Sequence, residues 1–421
     1  MRQNPRLSVC IPSRNRQVYF QTTIRQLLSS ERQDVEFVFA DNSDDPAIME
    51  EFMRRYADDS RVIFLPSETN ILSMVDNSER ACAIAQGDYV CMIGDDDYAD
   101  VDVIDVLNTL EDKDQKPDVL GWSRPVYYWP GNEAPANLFV ELNSYCGFIP
   151  KQLLWDKAIL WKDHVVGIPH YPFSIYHNAV SKEVLRKVRA DGAGHLFHYP
   201  IPDIEFGLKL LLYADRFAYT ARPFTVAGIC AASNSTSYGD LARIKESQIA
   251  FESDLGRTLH NAPYLQDFPF PTYLGNTIVI AQTHLWFRRT FNIQAPNWEE
   301  NFVDACSASC AYWKSDNDYR LVVSEFRKAF AIWKSGRYSQ RFQPAQRVTS
   351  PTNGLLFLGT QIFLNTYGTQ RYARIWVEYG INDACNPGIF FDTIKGILPT
   401  VNQLEYVMEA EQRPLLDGFR I

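Results

Sequence analysis

The first 125 residues alternate short apolar runs with amphipathic stretches. The apolar runs are typical of buried strands and fall at residues 7–12, 35–40, 61–65 and 88–93. The stretches between them have helical periodicity and cover residues 18–28, 47–56 and 71–85. Strands separated by helices of this length predict right-handed β-α-β units and a parallel sheet.

The pattern becomes less regular and then changes near residue 238. Further strands are predicted at residues 118–123, 126–129 and 216–220, with a loop-rich excursion at residues 131–147. Beyond residue 240, helical periodicity prevails, at residues 241–255, 277–290, 298–313 and 319–333. We therefore expect an α/β domain over residues 1–238 and a mainly α-helical domain over residues 239–421.

An acidic cluster of Asp95, Asp96 and Asp97 directly follows the predicted strand at residues 88–93. Carboxylates at the carboxyl end of a strand project where α/β sheets bind ligands. Three adjacent carboxylates repel one another, so we expect a cation beside them, and oxygen ligands suit Mg²⁺ or Mn²⁺ that also holds phosphate. The alternative is a solvated turn that caps a helix starting near Asp100.

Polar residues also follow the first two strands, at residues 13–16 and 41–45. In a parallel sheet these loops and the acidic cluster share one edge, which predicts a binding site there. The sequence has no Gly-x-Gly-x-x-Gly after the first strand and no Gly-x-x-x-x-Gly-Lys-Ser/Thr motif. A dinucleotide site or a P-loop site is therefore not expected.

Composition and charge narrow the class of partner. With 46% hydrophobic and 22% charged residues, the 421-residue chain is expected to be folded, and its net charge of −10 argues against general nucleic-acid binding. The first residues lack the pattern of a signal peptide, and the apolar stretches are too short to cross a bilayer. We expect a cytoplasmic protein, with the inner face of the membrane as a second option.

In its motifs the chain resembles the family 2 glycosyltransferases. The matching residues are Leu-Ser-Val-Cys-Ile-Pro-Ser-Arg-Asn-Arg at 7–16, Val-Phe-Ala-Asp-Asn-Ser at 38–43, Asp-Asn-Ser-Glu-Arg at 76–80, Ala-Gln-Gly-Asp-Tyr-Val at 85–90 and Gly-Asp-Asp-Asp at 94–97. The resemblance covers the first 125 residues and extends more loosely to about residue 235. It implies a GT-A fold, in which helices flank a Rossmann-like mixed sheet that binds a nucleotide-diphospho-sugar.

The resemblance implies that residues 1–125 bind the nucleotide sugar and residues 126–238 form the acceptor side. It places six residues beside the nucleotide or the donor: Pro12, Arg14, Arg16, Asp41, Asn77 and Arg80. In this set, Asp41 matches the carboxylate that recognises the base or ribose. The acidic cluster matches the Asp-x-Asp region, which binds ribose and a divalent metal. We assign Asp95 to the nucleotide, and Asp96 and Asp97 to Mn²⁺ or Mg²⁺.

The sequence departs from the family pattern at two places near the expected metal. Gly94 stands where the first aspartate of the motif often lies, and no histidine occurs between residues 199 and 259, where many relatives carry a metal ligand. These departures imply weak metal dependence, or a metal shell completed by the diphosphate and water. A flexible polar loop at residues 231–237 is expected to close over the donor.

A general base is needed because an acceptor hydroxyl loses its proton as it attacks. Asp203 precedes an apolar helix, as the catalytic base does in the family, although an aspartate there could simply cap the helix. Glu205 is the second candidate and His177 the third. Tyr176 and His177 lie in an aromatic and polar stretch, residues 169–178, which could bind a sugar acceptor or belong to the core.

The sequence therefore predicts an inverting glycosyltransferase that moves a sugar from a nucleotide-diphosphate donor, with UDP favoured, to a hydroxyl of a glycan or lipid-linked glycan in surface polysaccharide biosynthesis. Two alternatives stay open: a non-catalytic assembly protein that keeps the nucleotide fold, and a sugar-phosphate nucleotidylyltransferase. A locally basic segment, residues 314–347, either docks an anionic glycan or lipid headgroup or is a solvated face. No transmembrane span is expected, and an oligomer is not excluded.

Overall fold

The computed structural model describes residues 4–68, 70–132, 137–162, 164–165, 167–169, 171–233, 239–255, 262–348, 374–378 and 384–407. Nine strands in these ranges form the central sheet: β1 (Leu7–Ser13), β2 (Val35–Asp41), β3 (Val62–Leu65), β4 (Tyr89–Met92), β6 (Val119–Trp122), β9 (Tyr145–Ile149), β12 (Asn178–Ser181), β13 (Phe217–Thr220) and β16 (Glu405–Val407). The remaining strands form small sheets: β5 (Tyr98–Ala99), β7 (Val126–Tyr128), β8 (Asn137–Glu141), β10 (His164–Val165), β11 (Ile168–Pro169), β14 (Thr225–Ile229) and β15 (Arg374–Glu378).

The helices fall between and after these strands. They are α1 (Gln17–Leu28), α2 (Ala47–Met53), α3 (Met74–Ala83), α4 (Val103–Asp112), α5 (Lys151–Ala158), α6 (Lys182–Asp191), α7 (Pro202–Tyr213), α8 (Leu241–Leu255), α9 (Asn276–Thr290), α10 (Trp298–Ser309), α11 (Asp316–Ile332) and α12 (Pro387–Lys395). Among the described residues, none of these helices has the length and apolar character needed to cross a membrane.

The central sheet has the order β16-β9-β13-β6-β12-β4-β1-β2-β3. Strands β3, β2, β1 and β4 are mutually parallel, and β12 is antiparallel to both of its neighbours, β4 and β6. Because β1, β2, β4 and β6 run in one direction, the loops that follow them lie at one edge. The sheet is therefore mixed and flanked by helices, which confirms the predicted fold class.

Successive side chains along each strand point to opposite faces of the sheet and form an apolar layer on each face. On β1, Val9 and Ile11 join the cluster that contains Phe20 of α1, whereas Cys10 joins the cluster on the other face. That second cluster contains Ala81 of α3 and continues into the helices after residue 240. Helices on both faces thus cover a sheet whose strands are buried on both sides.

The described part of the chain after residue 239 is mainly helical, as predicted. Its last strands nevertheless pair with strands of the earlier half: β16 extends the central sheet beside β9, and β15 pairs with β8. Helix α12 packs against β14 and β5. The boundary predicted at residue 238 stays a prediction.

Local pattern located the elements of the first 125 residues within a few residues, but it did not predict α5, α6 or β12, and one predicted loop is wrong. The predicted loop-rich excursion at 131–147 contains all of β8 and the start of β9. Strand β9 is held by antiparallel pairing with β13, and β8 by pairing with β15. Both partners lie far along the chain, so the local pattern carried no signal of the pairing.

Candidate active site

The loops after β1 and β2 lie side by side at the carboxyl edge of the sheet. Ser13, the last residue of β1, is in register with Asp41, the last residue of β2. The side chain of Asn15 donates to the Asp44 carboxylate at 2.9 Å, and the Asp44 amide donates to the Asn15 side-chain oxygen at 2.9 Å. These two hydrogen bonds therefore hold the two loops together.

The loop after β4 joins them through Asp95. Ser13 Oγ donates to one oxygen of Asp95 at 2.7 Å, and an Arg16 guanidinium nitrogen lies 3.1 Å from the other. Thr23 of α1 donates to the backbone carbonyls of Asp95 and Asp97, at 2.9 and 3.0 Å. These distances confirm that the three polar loops converge.

The three carboxylates of the acidic cluster are buried, with only 3 to 4% of each residue exposed. The alternative of a solvated turn is therefore wrong. One oxygen of Asp96 accepts hydrogen bonds from Ser233 Oγ at 2.6 Å and from the Cys230 amide at 3.3 Å. The other oxygen faces Arg16 at 3.6 Å.

Asp97 has four contacts within the protein. Its Oδ1 accepts from the Gly228 amide at 2.7 Å. Its Oδ2 accepts from the Gly94 amide at 2.6 Å and from the Tyr176 hydroxyl at 2.8 Å, and it lies 3.1 Å from His177 Nε2. Three of these contacts are made to Oδ2 and one to Oδ1, so Asp97 anchors the surrounding loops, and its predicted role as a metal ligand stays a prediction.

The contacts of Asp97 also account for Gly94. A Cβ atom on Gly94 would lie 2.6 Å from the Tyr176 hydroxyl and 2.9 Å from Asp97 Oδ2. Neither distance is compatible with an ordinary van der Waals contact. The place where relatives often carry an aspartate is thus filled by the Tyr176–Asp97 pair.

His177 is held in a left-handed backbone conformation, with φ of 60°. Its residue is 1% exposed, and its amide donates to the carbonyl of Met92 at 2.8 Å. Such strain in a residue other than glycine persists only where the surroundings enforce it, and it is concentrated at functional sites. Both Tyr176 and His177 direct their polar atoms to Asp97, and their predicted contact with an acceptor stays a prediction.

Burial sets the protonation of the cluster. It raises the pKa of Asp95 to about 7 against the opposing charge of Arg16, and together with the charge of Asp97 it raises the pKa of Asp96. The pKa of Asp97 is lowered, because His177 and the two amides outweigh its burial. Burial lowers the pKa of His177 against the opposing charge of Asp97, whose carboxylate lies 3.1 Å from Nε2.

The acidic cluster has one position at which two carboxylates face the same positive charge. One oxygen of Asp95 and one of Asp96 already converge on a cation, the Arg16 guanidinium, at 3.1 and 3.6 Å. Within the described ranges, no three His, Cys, Asp or Glu side chains are grouped so as to hold a metal by themselves. A metal held here would need oxygens from the bound diphosphate or from water.

Asp41 offers a free acceptor at the end of β2. The residue is fully buried, and its Oδ1 accepts from the Ser43 hydroxyl at 2.6 Å and from the Ser43 amide at 3.2 Å. Its Oδ2 is buried without a hydrogen-bond partner in the described part of the chain. Burial raises the pKa of this carboxyl. An unpartnered buried acceptor is costly unless a ligand supplies the donor.

Asn77 and Arg80 of α3 stabilise the loops that follow β1 and β2. Asn77 donates to the carbonyls of Ser13 and Ala40 at 3.3 and 3.1 Å, and Arg80 donates to the carbonyl of Asp41 at 2.6 Å. Their hydrogen bonds therefore hold the ends of β1 and β2. Direct contact with a donor stays a prediction for both.

A cavity of about 320 Å³ opens at the loop that follows β2. Its lining consists of Ser43, Asp44, Pro46, Ser67, Glu68 and Ile71. Arg14 lies 3.8 Å from Asp44 at its rim, and half-buried Pro12 lies one residue before the end of β1. The cavity is in the size range of small-molecule sites.

Asp203 is the second residue of α7, whose N-cap is Ile201. It is therefore not the helix cap. Its side chain reaches solvent, but it lies deep enough among protein atoms that desolvation raises the pKa of its carboxyl. The amides of the first turn and the charge of Arg124 oppose that rise.

One short segment connects Asp203 with the acidic cluster. Ser174 Oγ donates to the Asp203 carbonyl at 2.7 Å, and two residues later Tyr176 donates to Asp97. The segment lies beside the end of β4, because the Met92 amide donates to the Ile175 carbonyl at 2.9 Å. The candidate base and the candidate donor site therefore lie on either side of residues 174–177.

Glu205 is enclosed and has no free oxygen for a substrate. The residue is fully buried, and its two oxygens accept from the amides of His198 and Tyr199 at 2.8 to 2.9 Å. It also pairs with Lys209 one turn along α7. This geometry favours a structural use of Glu205 over the predicted second candidate base.

The basic segment at 314–347 is largely neutralised by nearby acids. Five of the cations have a carboxylate within 4.0 Å: Lys328, Lys334, Arg337, Arg341 and Arg347. A surface for anionic glycans or lipids would need unpaired cations. The pairing favours the solvated-face interpretation.

Several site residues were not selected from the sequence. Gly228, Cys230 and Ser233 contact the acidic cluster from the end of β14, and the loop predicted to cover the donor continues into residues 234–238, which lie outside the described residues. His170 of the aromatic stretch also lies outside them. Arg124 is exposed after β6, and its charge acts on Tyr176, His177 and Asp203. The one sequence feature that could have indicated Arg124 is its place among the polar residues that follow β6.

Comparison with known proteins agrees with this geometry. Residues 8–185 match the model of glycosyl transferase family 2. This range contains all three converging loops and the Tyr176–His177 pair. No curated protein has a sequence similar enough to count as a match.

Solved structures with some similarity include TarS from S. aureus. Its residues 1–349 share 16% identity over 80% of this chain and 91% of that chain, with a TM-score of 0.41. In complex with UDP-GlcNAc the same part of TarS gives 16% identity, 83% and 95% coverage, and a TM-score of 0.43. The mannosyltransferase PcManGT from Pyrobaculum calidifontis, in complex with GDP-Man and Mn²⁺, gives 14% identity, 81% and 84% coverage, and a TM-score of 0.36.

The mixed sheet, the converging polar loops and the family model lead to one assignment. The region that carries the converging loops, residues 8–185, matches glycosyl transferase family 2, and the protein is a glycosyltransferase.

Proposed function

We propose that the enzyme is an inverting glycosyltransferase in which Asp203 is the general base. The observation that carries the proposal is the position of residues 174–177, which contact both the turn that carries Asp203 and the carboxylate of Asp97. An acceptor in this region would lie between a base and the donor. Residues 1–125 would hold the donor and residues 126–238 the acceptor.

The donor is a nucleoside diphosphate sugar, with UDP favoured. Asp41 supports the nucleotide end, since its buried Oδ2 can accept a hydrogen bond from a base or ribose. The cavity of about 320 Å³ at the loop that follows β2 has room for part of such a ligand. Arg14 and Arg16 bring positive charge to the diphosphate, and Pro12 lies at the same edge.

In the transfer step, an acceptor hydroxyl attacks the anomeric carbon of the sugar. The new carbon–oxygen bond forms as the bond to the diphosphate breaks, and the nucleoside diphosphate leaves with the bonding electrons. The hydroxyl proton passes to Asp203. Its raised pKa makes it a stronger base than an ordinary aspartate.

Asp95 and Asp96 would hold Mn²⁺ or Mg²⁺, because both present one oxygen to the same position, which the metal would take in place of the Arg16 guanidinium. When bound, a divalent cation neutralises charge that develops on the leaving diphosphate. Arg16 supplies part of the same neutralisation and occupies that position in the present structure. Asp97 would then hold the loop rather than the metal.

The acceptor is proposed to be a hydroxyl of a glycan or a lipid-linked glycan in surface polysaccharide biosynthesis. This part of the proposal rests on the resemblance described above. We place the enzyme in the cytoplasm, where nucleotide sugars are made, with the inner face of the membrane as a second location.

Two substitutions test the proposal. Asp203→Asn keeps the shape of the side chain and removes the base, so turnover should fall by ~100-fold or more while UDP affinity is unchanged. Asp41→Asn should weaken UDP binding by about tenfold, and the exposed Asp58→Asn is its control. Turnover is measured as UDP release from a panel of UDP-sugars, and affinity by calorimetry. Full turnover in Asp203→Asn would show that another group is the base.

A further inference from the structure

Four consecutive backbone amides, residues 196–199, are bound by two carboxylates from different helices. Glu79 of α3 accepts from the amides of Leu196 and Phe197 at 2.8 and 3.1 Å. Glu205 of α7 accepts from the next two amides, those of His198 and Tyr199. A surface turn would leave such amides to water, whereas here each one has an ionic partner.

Lys209 completes this arrangement. Its side chain is 2% exposed, it pairs with Glu205, and it donates to the Leu196 carbonyl at 2.7 Å. Its ammonium also lies 2.8 Å from His198 Nδ1, which accepts that hydrogen bond. The Lys209 ammonium therefore contacts both α7 and the loop at 196–199, and it also lies 5.8 Å from the centre of the Trp286 ring.

The two helices joined by this loop carry different parts of the site. On α3, Asn77 and Arg80 flank Glu79 and hold the ends of β1 and β2. On α7, Asp203 lies two residues before Glu205. A shift of one helix relative to the other would therefore change the distance between the donor loops and the base.

We infer that Glu79, Glu205 and Lys209 form a clasp that positions Asp203 relative to the donor. The inference rests on the proposed role of Asp203. The three residues act through the loop and the helices, so they are positioning residues and do not touch substrate. A misplacement of reacting groups by about 1 Å can cost ~100-fold in rate, which is the scale of effect that a loosened clasp would cause.

The test compares turnover with donor affinity in variants of each side of the clasp. Lys209→Met and Glu79→Gln remove one partner each, and Lys209→Arg keeps the charge. Glu183→Gln is the matched control, because Glu183 forms an exposed pair with Arg186 on neighbouring α6. UDP affinity is measured by calorimetry, turnover as UDP release from UDP-sugars, and exchange of the amides at 196–199 by mass spectrometry.

We expect faster amide exchange at 196–199 in Lys209→Met and Glu79→Gln, with kcat reduced by ~10-fold or more and UDP affinity within about twofold of the wild type. Lys209→Arg should restore most of kcat, and Glu183→Gln should match the wild type. If exchange at 196–199 rises but kcat does not fall, the clasp is only structural and the inference is wrong. Glu79→Gln keeps the buried pair on α7, so it serves if Lys209→Met does not fold.

The same assays separate this inference from the proposed function. If Asp203→Asn retains turnover, the base assignment fails, whatever the clasp variants do. If Asp203→Asn is inactive and the clasp variants turn over normally, the base assignment stands and the clasp inference fails.

Discussion

Gly228 is the position at which one added methyl group should damage the donor site most directly. Its amide donates to Asp97 Oδ1 at 2.7 Å. A Cβ on this residue would lie 1.8 Å from the carbonyl oxygen of Asp96, 2.7 Å from its carbonyl carbon and 2.9 Å from Trp129 Nε1. These neighbours are backbone and a buried indole, so none of them can swing away.

Gly228→Ala therefore requires β14 and the acidic loop to move apart by more than about 1 Å. Overpacking of this kind costs ~1–3 kcal/mol, and loss of the hydrogen bond to ionised Asp97 costs about 1.5–3 kcal/mol more. We expect the melting temperature to fall by several degrees, by roughly 2–4 °C for each kcal/mol in a chain of this size or larger. A displacement of about 1 Å at the acidic loop should also lower turnover by ~100-fold.

The assays are thermal unfolding followed by circular dichroism and UDP release from a UDP-sugar. Gly396→Ala is the control, because its Cβ would meet nothing within 4 Å and its φ is −66°. If Gly228→Ala unfolds and turns over like Gly396→Ala, then β14 does not press against Asp96 and Asp97 as described.

Three further outcomes follow from the charges. Because the charge of Arg124 lowers the pKa of Asp203, Arg124→Gln should raise that pKa and move the acid limb of the kcat profile to higher pH, whereas exposed Arg186→Gln should not. Asp96→Ala should remove any enhancement of UDP binding by Mn²⁺, and calorimetry with and without Mn²⁺ decides this. Burial lowers the pKa of His284 to about 3, below its unfolded value near 6.5, so the unfolded state binds the proton first as pH falls. This group should therefore cost about 2 kcal/mol of stability between pH 6.5 and pH 5, a loss that urea unfolding should find reduced in His284→Gln.

The position of Asp203 in the first turn of α7 could be predicted from a local pattern, because a proline and an acid precede an apolar run. The same pattern could not distinguish Asp203 from Glu205. The distinction arises from the loop at 196–199, whose amides enclose Glu205 and leave Asp203 facing solvent. Which residue of an acidic pair faces a substrate depends on what folds against it.

The acidic cluster also has some features that the sequence predicts and others that only the structure shows. The sequence places the cluster at the end of β4, because an apolar run stops there at three carboxylates. It also predicts that the cluster lies close to the loops after β1 and β2, because the carboxyl ends of parallel strands share one edge of the sheet. The separate environments of Asp95, Asp96 and Asp97 do not follow from the sequence. They are set by Arg16 from β1–α1, by Tyr176 and His177 before β12, and by the end of β14.

By itself, the sequence determined the order of strands and helices in the first 125 residues, the mixed α/β class, the edge at which the polar loops meet and the resemblance to family 2. These features depend on periodicity and on motifs that are read within a few residues. Only the tertiary structure decided that β8 and β9 replace the expected loop, that Gly94 makes room for Tyr176, and that Asp97 and Glu205 are enclosed. Those outcomes depend on contacts between residues that lie up to hundreds of positions apart in the chain. Such pairings are not visible in the sequence, because side-chain contacts form only when the helices pack on the sheet.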